Sequence, residues 1–133
     1  MTAPTVWQAV SGDITASTDW GRNARIHIAG GLGIAPEATL TIGSGSVILV
    51  DPGVGVSVEG CIIVQGTVEN PVIFTCQDRN APWGGFLLET GSSQGEFTGA
   101  IFTGSGADPD WFGNNPDHGH SHRHEQPLLY VSN

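Results

Sequence analysis

Lysine is absent from this chain of 133 residues, and only four arginines stand against 13 carboxylates. The net charge of −9 repels nucleic acid phosphates and anionic lipids, so neither nucleic acid nor membrane is an expected partner. No apolar run approaches the length of a membrane span, and the first residues have neither the basic nor the apolar part of a signal peptide. The low lysine content and the acidity instead favour the mature part of a secreted protein, with a surface that attracts divalent cations.

Cysteine and helix signals are scarce as well. The chain has two cysteines, Cys61 and Cys76, and neither belongs to a Cys-x-x-Cys metal motif. They are interpreted either as small buried apolar residues or as a disulfide between neighbouring strands. The only helix-compatible stretch, 35–38, is too short, and 20 glycines and eight prolines do not suit a helical protein. These absences favour an all-β fold.

What the sequence does contain is a series of short β-strands, each bounded by Gly, Pro, Asn or Asp. The predicted strands are Ala38–Ile42, Cys61–Val64, Pro71–Thr75, Gly85–Leu88 and Ala100–Thr103. Their apolar residues recur about every two dozen positions without helices between them, which is typical of a solenoid of stacked β-coils. The predicted core consists of Leu40, Ile42, Ile62, Val64, Val72, Phe74, Phe86, Leu88 and Phe102.

The chain divides into an N-terminal segment, a run of coils and one long loop. Residues 1–23 form a cap or edge segment, in which Val6–Val10 is a candidate edge strand and 13–23 is predicted to be a turn. Residues 24–133 form about four to five coils. A polar loop at 104–126 interrupts them before a last strand at Pro127–Val131.

Three segments resemble the right-handed parallel β-helix proteins of the pectin-lyase-like superfamily. Residues 34–47 are similar to the opening pattern of these repeats, and Val64–Thr75 is similar to the "V-x-G-T-x-x-x-P-I-x-F-T" segment that follows it. Trp83–Phe86 matches the family pattern "W-x-G-I". The resemblance covers 24–104 and implies a right-handed parallel β-helix of the bacterial extracellular type, located outside the cell or on its surface. It implies no particular activity, since such repeats are common in surface proteins without assigned chemistry.

The long loop contains the densest group of possible metal ligands. Its four histidines alternate along the chain, preceded by an aspartate: Asp117, His118, His120, His122 and His124. In an extended chain alternate residues lie about 6.6–7 Å apart on one face, so neighbouring imidazoles can reach one ion. Imidazole suits zinc or copper. The pattern departs from the His-x-His-x-Asp-His motif of metallo-β-lactamase-type hydrolases, and a solvated loop without metal is the alternative.

Other side chains suggest carbohydrate chemistry. Asp108 and Asp110 are candidate calcium ligands or catalytic carboxylates, although such a pair also suits an ordinary turn. Pectate lyases of the superfamily need a basic residue as well; without lysine, the candidates are Arg79 and Arg123, which lie in predicted loops and suit the role poorly. Trp83 and Trp111 are candidates for stacking on sugar rings, or for covering coil ends as apolar plugs.

Taken together, the residues favour a non-enzymatic extracellular module that stacks on further coils or on copies of itself. A β-coil stack presents unpaired strand edges at its ends, and a head-to-tail contact between them would continue into a filament. The predicted contact joins an apolar C-terminal strand to the N-terminal segment of the next unit, through Leu128, Leu129, Tyr130, Val131, Val6 and Trp7. The alternatives are a polysaccharide-active lyase or glycoside hydrolase, a carbohydrate-binding β-helix, and a metal-binding surface module.

Overall fold

The computed structural model describes residues 7–78, 80–88, 90–105 and 129–131. Over these ranges the chain forms β-strands and no helix, which confirms the all-β prediction, and no helix there could cross a membrane. The strands are β1 Gln8–Ile14, β2 Thr18–Asp19, β3 Arg25–Ile34, β4 Thr39–Gly43, β5 Val47–Val50, β6 Gly55–Val58, β7 Cys61–Gln65, β8 Val72–Thr75, β9 Gly85–Leu88, β10 Gln94–Thr98, β11 Ala100–Phe102 and β12 Leu129–Val131.

All strand pairs are parallel, and the strands stack on three faces. The first face stacks β1, β3, β5, β8 and β11, and the second stacks β1, β3, β6, β9 and β12. Both β1 and β3 contribute to two faces, because 25–28 of β3 pairs with β5 while 32–34 pairs with β6. The third face stacks β2, β4, β7 and β10. This arrangement is a parallel β-helix, as the sequence predicts.

The core is a set of apolar columns inside the three faces. Alternation along β4 and β7 turns Leu40 and Ile42 inward, directly in register with Ile62 and Val64 of the next coil. Of the predicted core, all members are buried except Phe102, which is only half-buried on the last strand of the first face. The inward residues of β5 and β6 were not predicted from the sequence; they are Ile48, Val50, Val56 and Val58.

Aromatic rings fill one end of this core. Phe74 stacks on Phe102 with ring centroids 5.1 Å apart, and Phe86 meets Phe74 edge to face at 5.3 Å. Trp83 is fully buried beside them, and its indole N–H donates to the Thr103 carbonyl at 2.7 Å. Its faces are therefore closed to a sugar ring, and the stacking role predicted for Trp83 is wrong. The buried plug is the interpretation that holds for this residue.

Two further expectations need correction. The segment predicted as a turn at 13–23 contains the end of β1 and all of β2, so the N-terminal segment is itself a layer of the solenoid. The cysteines are free. Cys61 lies on the outward side of the third face, in register with Thr39 and Gln94, whereas Cys76 follows β8 on the first face. A disulfide between them is therefore wrong, and Cys61 is not an interior residue.

Tight corners hold the coils in register. Ser46 is the buried polar residue of the described core; its hydroxyl accepts from the Ala24 N–H at 3.0 Å and donates to the Gly43 carbonyl at 2.8 Å.

The connections between the first and second faces lengthen from coil to coil. They run over 29–31, 51–54, 76–84 and 103–128.

Candidate functional site

Most of the predicted site residues lie outside the described residues. These are Val6, Asp108, Asp110, Trp111, Asp117, His118, His120, His122, His124 and Leu128. The segment 106–128, which carries most of them, connects β11 to β12. Within the described part of the chain, no group of three or more His, Cys, Asp or Glu side chains is placed to hold a metal ion.

The described residues of the predicted assembly contact lie at opposite ends of the stack, on different faces. Trp7 directly precedes β1, which pairs only with β3 among the described strands. Leu129 of β12 lies in register with Phe86 of β9, at the other end of the strand order. Both side chains remain 43 % exposed. The two segments thus lie at opposite ends of the described strand order.

The register of the faces changes which strands would meet in such a contact. Residues 8–10 of β1 stack on the first face, whereas 12–14 stack on the second face. Since β12 belongs to the second face, a coaxial stack with aligned faces would bring β12 to 12–14 of the next copy. Residues 8–10 would then meet β11. The contact proposed from the sequence, between 127–131 and 6–10, is out of line by one face.

Apolar side chains are incompletely covered at both ends of the core. At the first end, Val10, Ile14 and Trp20 pack against the buried core but stay half-buried. At the other end, Phe97 and Phe102 do the same. Because the columns continue to both ends, a further coil would cover apolar surface at either one.

A shallow groove runs along the outside of the second face. Its centre is an outward column of residues in register on successive strands: Asp13, Gly33, Ser57 and Leu87. The groove has a volume of about 430 Å³, and its floor lacks side chains because glycines occupy positions 31, 33, 53 and 55. A Cβ atom added to Gly33 would lie 2.5 Å from Oδ1 of Asp13, so the carboxylate lies directly over this glycine.

The groove continues past the end of β6 into a second depression, lined by Thr15, Ala35 and Glu59. Carboxylates and hydroxyls along this path can exchange hydrogen bonds with a polar ligand, and Leu87 offers an apolar contact at the far end. The lining residues of the two depressions include no lysine, arginine or histidine. The groove thus has the groups for binding a neutral polar chain, and its described lining residues supply no cationic or imidazole base.

Sequence reasoning missed this groove. The available signal was the density of glycine at 30–33 and 53–55, together with the outward Asp13 and Ser57. These residues become one surface only when the coils are aligned, and the spacing between successive members of the column is unequal.

A polar contact between side chains links two neighbouring coils, from His27 in β3 to Asp51 directly after β5. Nε2 of His27 lies 2.6 Å from Oδ1 of Asp51, and both side chains are about one third exposed. It is the only ion pair among the described residues, and it is charged only when the imidazole is protonated. An exposed pair of this kind contributes little to stability. Within the described part of the chain the pair belongs to no group of three or more His, Cys, Asp or Glu side chains placed to hold a metal ion, and it links β3 to the residue that follows β5.

Comparison with known proteins identifies the family. A family model described as a pectate-lyase like beta helix domain matches residues 12–115. The chain belongs to the pectate-lyase-like β-helix family. The match begins in β1, so this β-helix domain includes the N-terminal layer that the sequence analysis assigned to a cap. No curated protein and no solved structure matches the chain.

Proposed function

We propose that this pectate-lyase-like β-helix domain is an extracellular assembly module, which stacks end to end on further coils or on a second copy. The observation that carries the proposal is the continuation of the apolar core to both ends of the described stack, where Ile14 and Phe102 stay half-buried. Strand edges favour the same contact, because backbone groups of an unpaired edge form hydrogen bonds with any strand that reaches them.

The contact joins different surfaces, since the end formed by β11 and β12 meets the end formed by β1. Such a heterologous contact does not close on itself, and repeated addition produces a linear filament. In the aligned arrangement, β12 of one copy pairs with 12–14 of the next copy, and β11 pairs with 8–10. The open strand edges of the first and second faces are therefore covered in one contact.

Replacing Leu129 by lysine is expected to shorten or abolish these filaments. Leu129 lies above Phe86 in line with the core, and a lysine there would place a charge in the contact that the next copy must bury. Sedimentation velocity and electron microscopy of the full chain measure the length distribution. The matched control is Val68→Lys, because Val68 is 95 % exposed in the turn between β7 and β8, neither of which is an end strand of its face. A dispersed wild-type monomer at high concentration, or equal shortening by both variants, would contradict the proposal.

A second candidate function is the binding of a neutral polysaccharide in the groove of the second face. The specific observation is the glycine floor between Asp13 and Ser57, which leaves room for a chain to lie across several coils. The carboxylates of Asp13 and Glu59 accept hydrogen bonds from sugar hydroxyls, whereas they repel an anionic polymer such as pectate.

Ser57→Arg is expected to remove this binding by filling the groove, with a reduction in affinity of about tenfold or more. The control is Thr98→Arg, which adds the same side chain at another exposed outward strand position, on the third face. Retardation in gels containing neutral glucans, mannans or galactans provides the measurement. The binding hypothesis fails if none of these polymers slows the wild-type protein, or if both variants bind equally well.

Metal binding at Asp117, His118, His120, His122 and His124 stays a prediction, because these residues lie outside the described part of the chain. The same holds for calcium at Asp108 and Asp110 and for sugar stacking on Trp111.

A further inference from the structure

The outer surface of the first face carries two columns of side chains in register. The first column consists of Arg25, Val47, Ile73 and Ile101. The second consists of Ala9, His27, Leu49 and Thr75. Strands within a column are about 4.8 Å apart, so these aliphatic side chains form a nearly flat strip. Ile101 is 46 % exposed, and Val47, Leu49 and Ile73 are half-buried.

Charge separates this strip from the other two faces. The second face carries Asp13 in its outward column, and the third face carries Asp19 and Glu96 in one column with Thr41 and Ile63 between them. The two columns of the first face contain no carboxylate among their described members. Arg25 donates to the carbonyls of Ala24 and Gly45, which turns its guanidinium toward the corner and away from the strip.

We infer that the first face is a lateral docking surface for a second copy of this chain. Two molecules with a net charge of −9 repel each other, and the repulsion is weakest where the approaching surfaces carry the least net negative charge. The carboxylate nearest the strip is that of Asp51, which is paired with His27 at 2.6 Å, and the first column contains Arg25. A contact between two first faces also removes aliphatic surface from water on both copies. It is isologous, since the same columns, centred on Val47 and Ile73, form both sides.

The strip is too small for a permanent dimer. It extends over about three coil spacings, or roughly 14 Å, by the width of two outward positions, about 7 Å. A contact of this size belongs with small and transient interfaces. Copies that are already aligned in a linear stack would form many such contacts at once, and their combined effect would join neighbouring stacks side by side.

The test uses the Leu129→Lys protein, in which end-to-end stacking is blocked, and measures its dimerisation by sedimentation equilibrium. Weak reversible dimers are expected, and added salt should strengthen them because it screens the repulsion between the acidic copies. Adding Ile101→Lys should weaken the dimer by about tenfold or more. The control is Ile63→Lys, which places the same charge on an outward aliphatic position of the third face and should leave dimerisation unchanged.

A Leu129→Lys protein that stays monomeric at millimolar concentration and high salt would overturn the inference. So would equal weakening by Ile101→Lys and Ile63→Lys, because the contact would then not be specific to the first face. The inference is independent of end-to-end stacking. If the wild-type chain forms no filaments, the same comparison is made in the wild-type background, and failure of one contact leaves the other measurable.

Discussion

An aspartate in place of Ile62 is expected to unfold this chain, whereas an aspartate in place of the neighbouring Ile63 should leave it folded. Ile62 is 1 % exposed, and it stacks in register on Leu40 in the interior of β7. A carboxylate there would be buried without a partner, which costs about 4 kcal/mol or more and is a large part of the stability of a domain this size. Ile63 points outward on the same strand and is only half-buried, so its replacement should cost about 1 kcal/mol.

Urea denaturation followed by far-UV circular dichroism measures the difference between these two variants. The Ile63→Asp protein should keep a strand-dominated spectrum and a clear unfolding transition, and the Ile62→Asp protein should show neither. A cooperative transition of normal midpoint in Ile62→Asp would mean that this column is not the core. A helical spectrum of the wild type would contradict the fold itself.

The second large effect is expected for Gly66→Ala, at the corner between the third and first faces. A Cβ atom on Gly66 would overlap the carbonyl oxygen of Gly99 and lie 2.8 Å from the backbone nitrogen of Val72. The Gly99 carbonyl belongs to the next coil and the Val72 nitrogen to the start of β8 in the same coil, and neither backbone atom can move without disturbing the coil register. We expect a loss of about 3 kcal/mol or more in the free energy of unfolding.

Gly91→Ala is the control for this experiment, because a Cβ atom at Gly91 would meet no atom within 4 Å. The alanine there should change stability by less than about 1 kcal/mol. Thermal unfolding of both variants under the same conditions provides the comparison. If the two melting temperatures match, the corners of the solenoid are not in tight contact at Gly66.

The sequence was sufficient to predict the coils wherever apolar alternation is regular and the corners are marked by glycine or proline. This holds for β4, β7, β8 and β9, whose inward residues were all predicted. It fails for β6, whose inward residues Val56 and Val58 were not predicted, and which is separated from β7 only by the short turn at Glu59 and Gly60. Two strands on different faces cannot be distinguished from one when the turn between them is so short.

The candidate sites were harder to predict, because they depend on which coil positions coincide in space. Corners of unequal length separate Asp13, Gly33 and Ser57, so no fixed period aligns them in the sequence. Trp83 was difficult to place for a related reason, since the residues that surround it are distant in sequence. The sequence left sugar stacking and an apolar plug both open for Trp83. In the structure its ring fills the space beside Phe74 and Phe86, and its N–H donates to the Thr103 carbonyl. Such a partner, distant in sequence, is invisible before the coils are stacked.

The lengthening connections between the first and second faces have a consequence for how this scaffold can change. The insertions at 76–84 and 103–128 leave the parallel register intact, since β9 still pairs with β6 and β12 with β9. A corner that accepts extra residues without disturbing the strands on either side is a natural place for acquiring new sequence, because loop length costs little in free energy. Evolution can thus vary the length of the connections on this edge while the stack is preserved, and a foreign peptide grafted at the same edge should be displayed without loss of the scaffold.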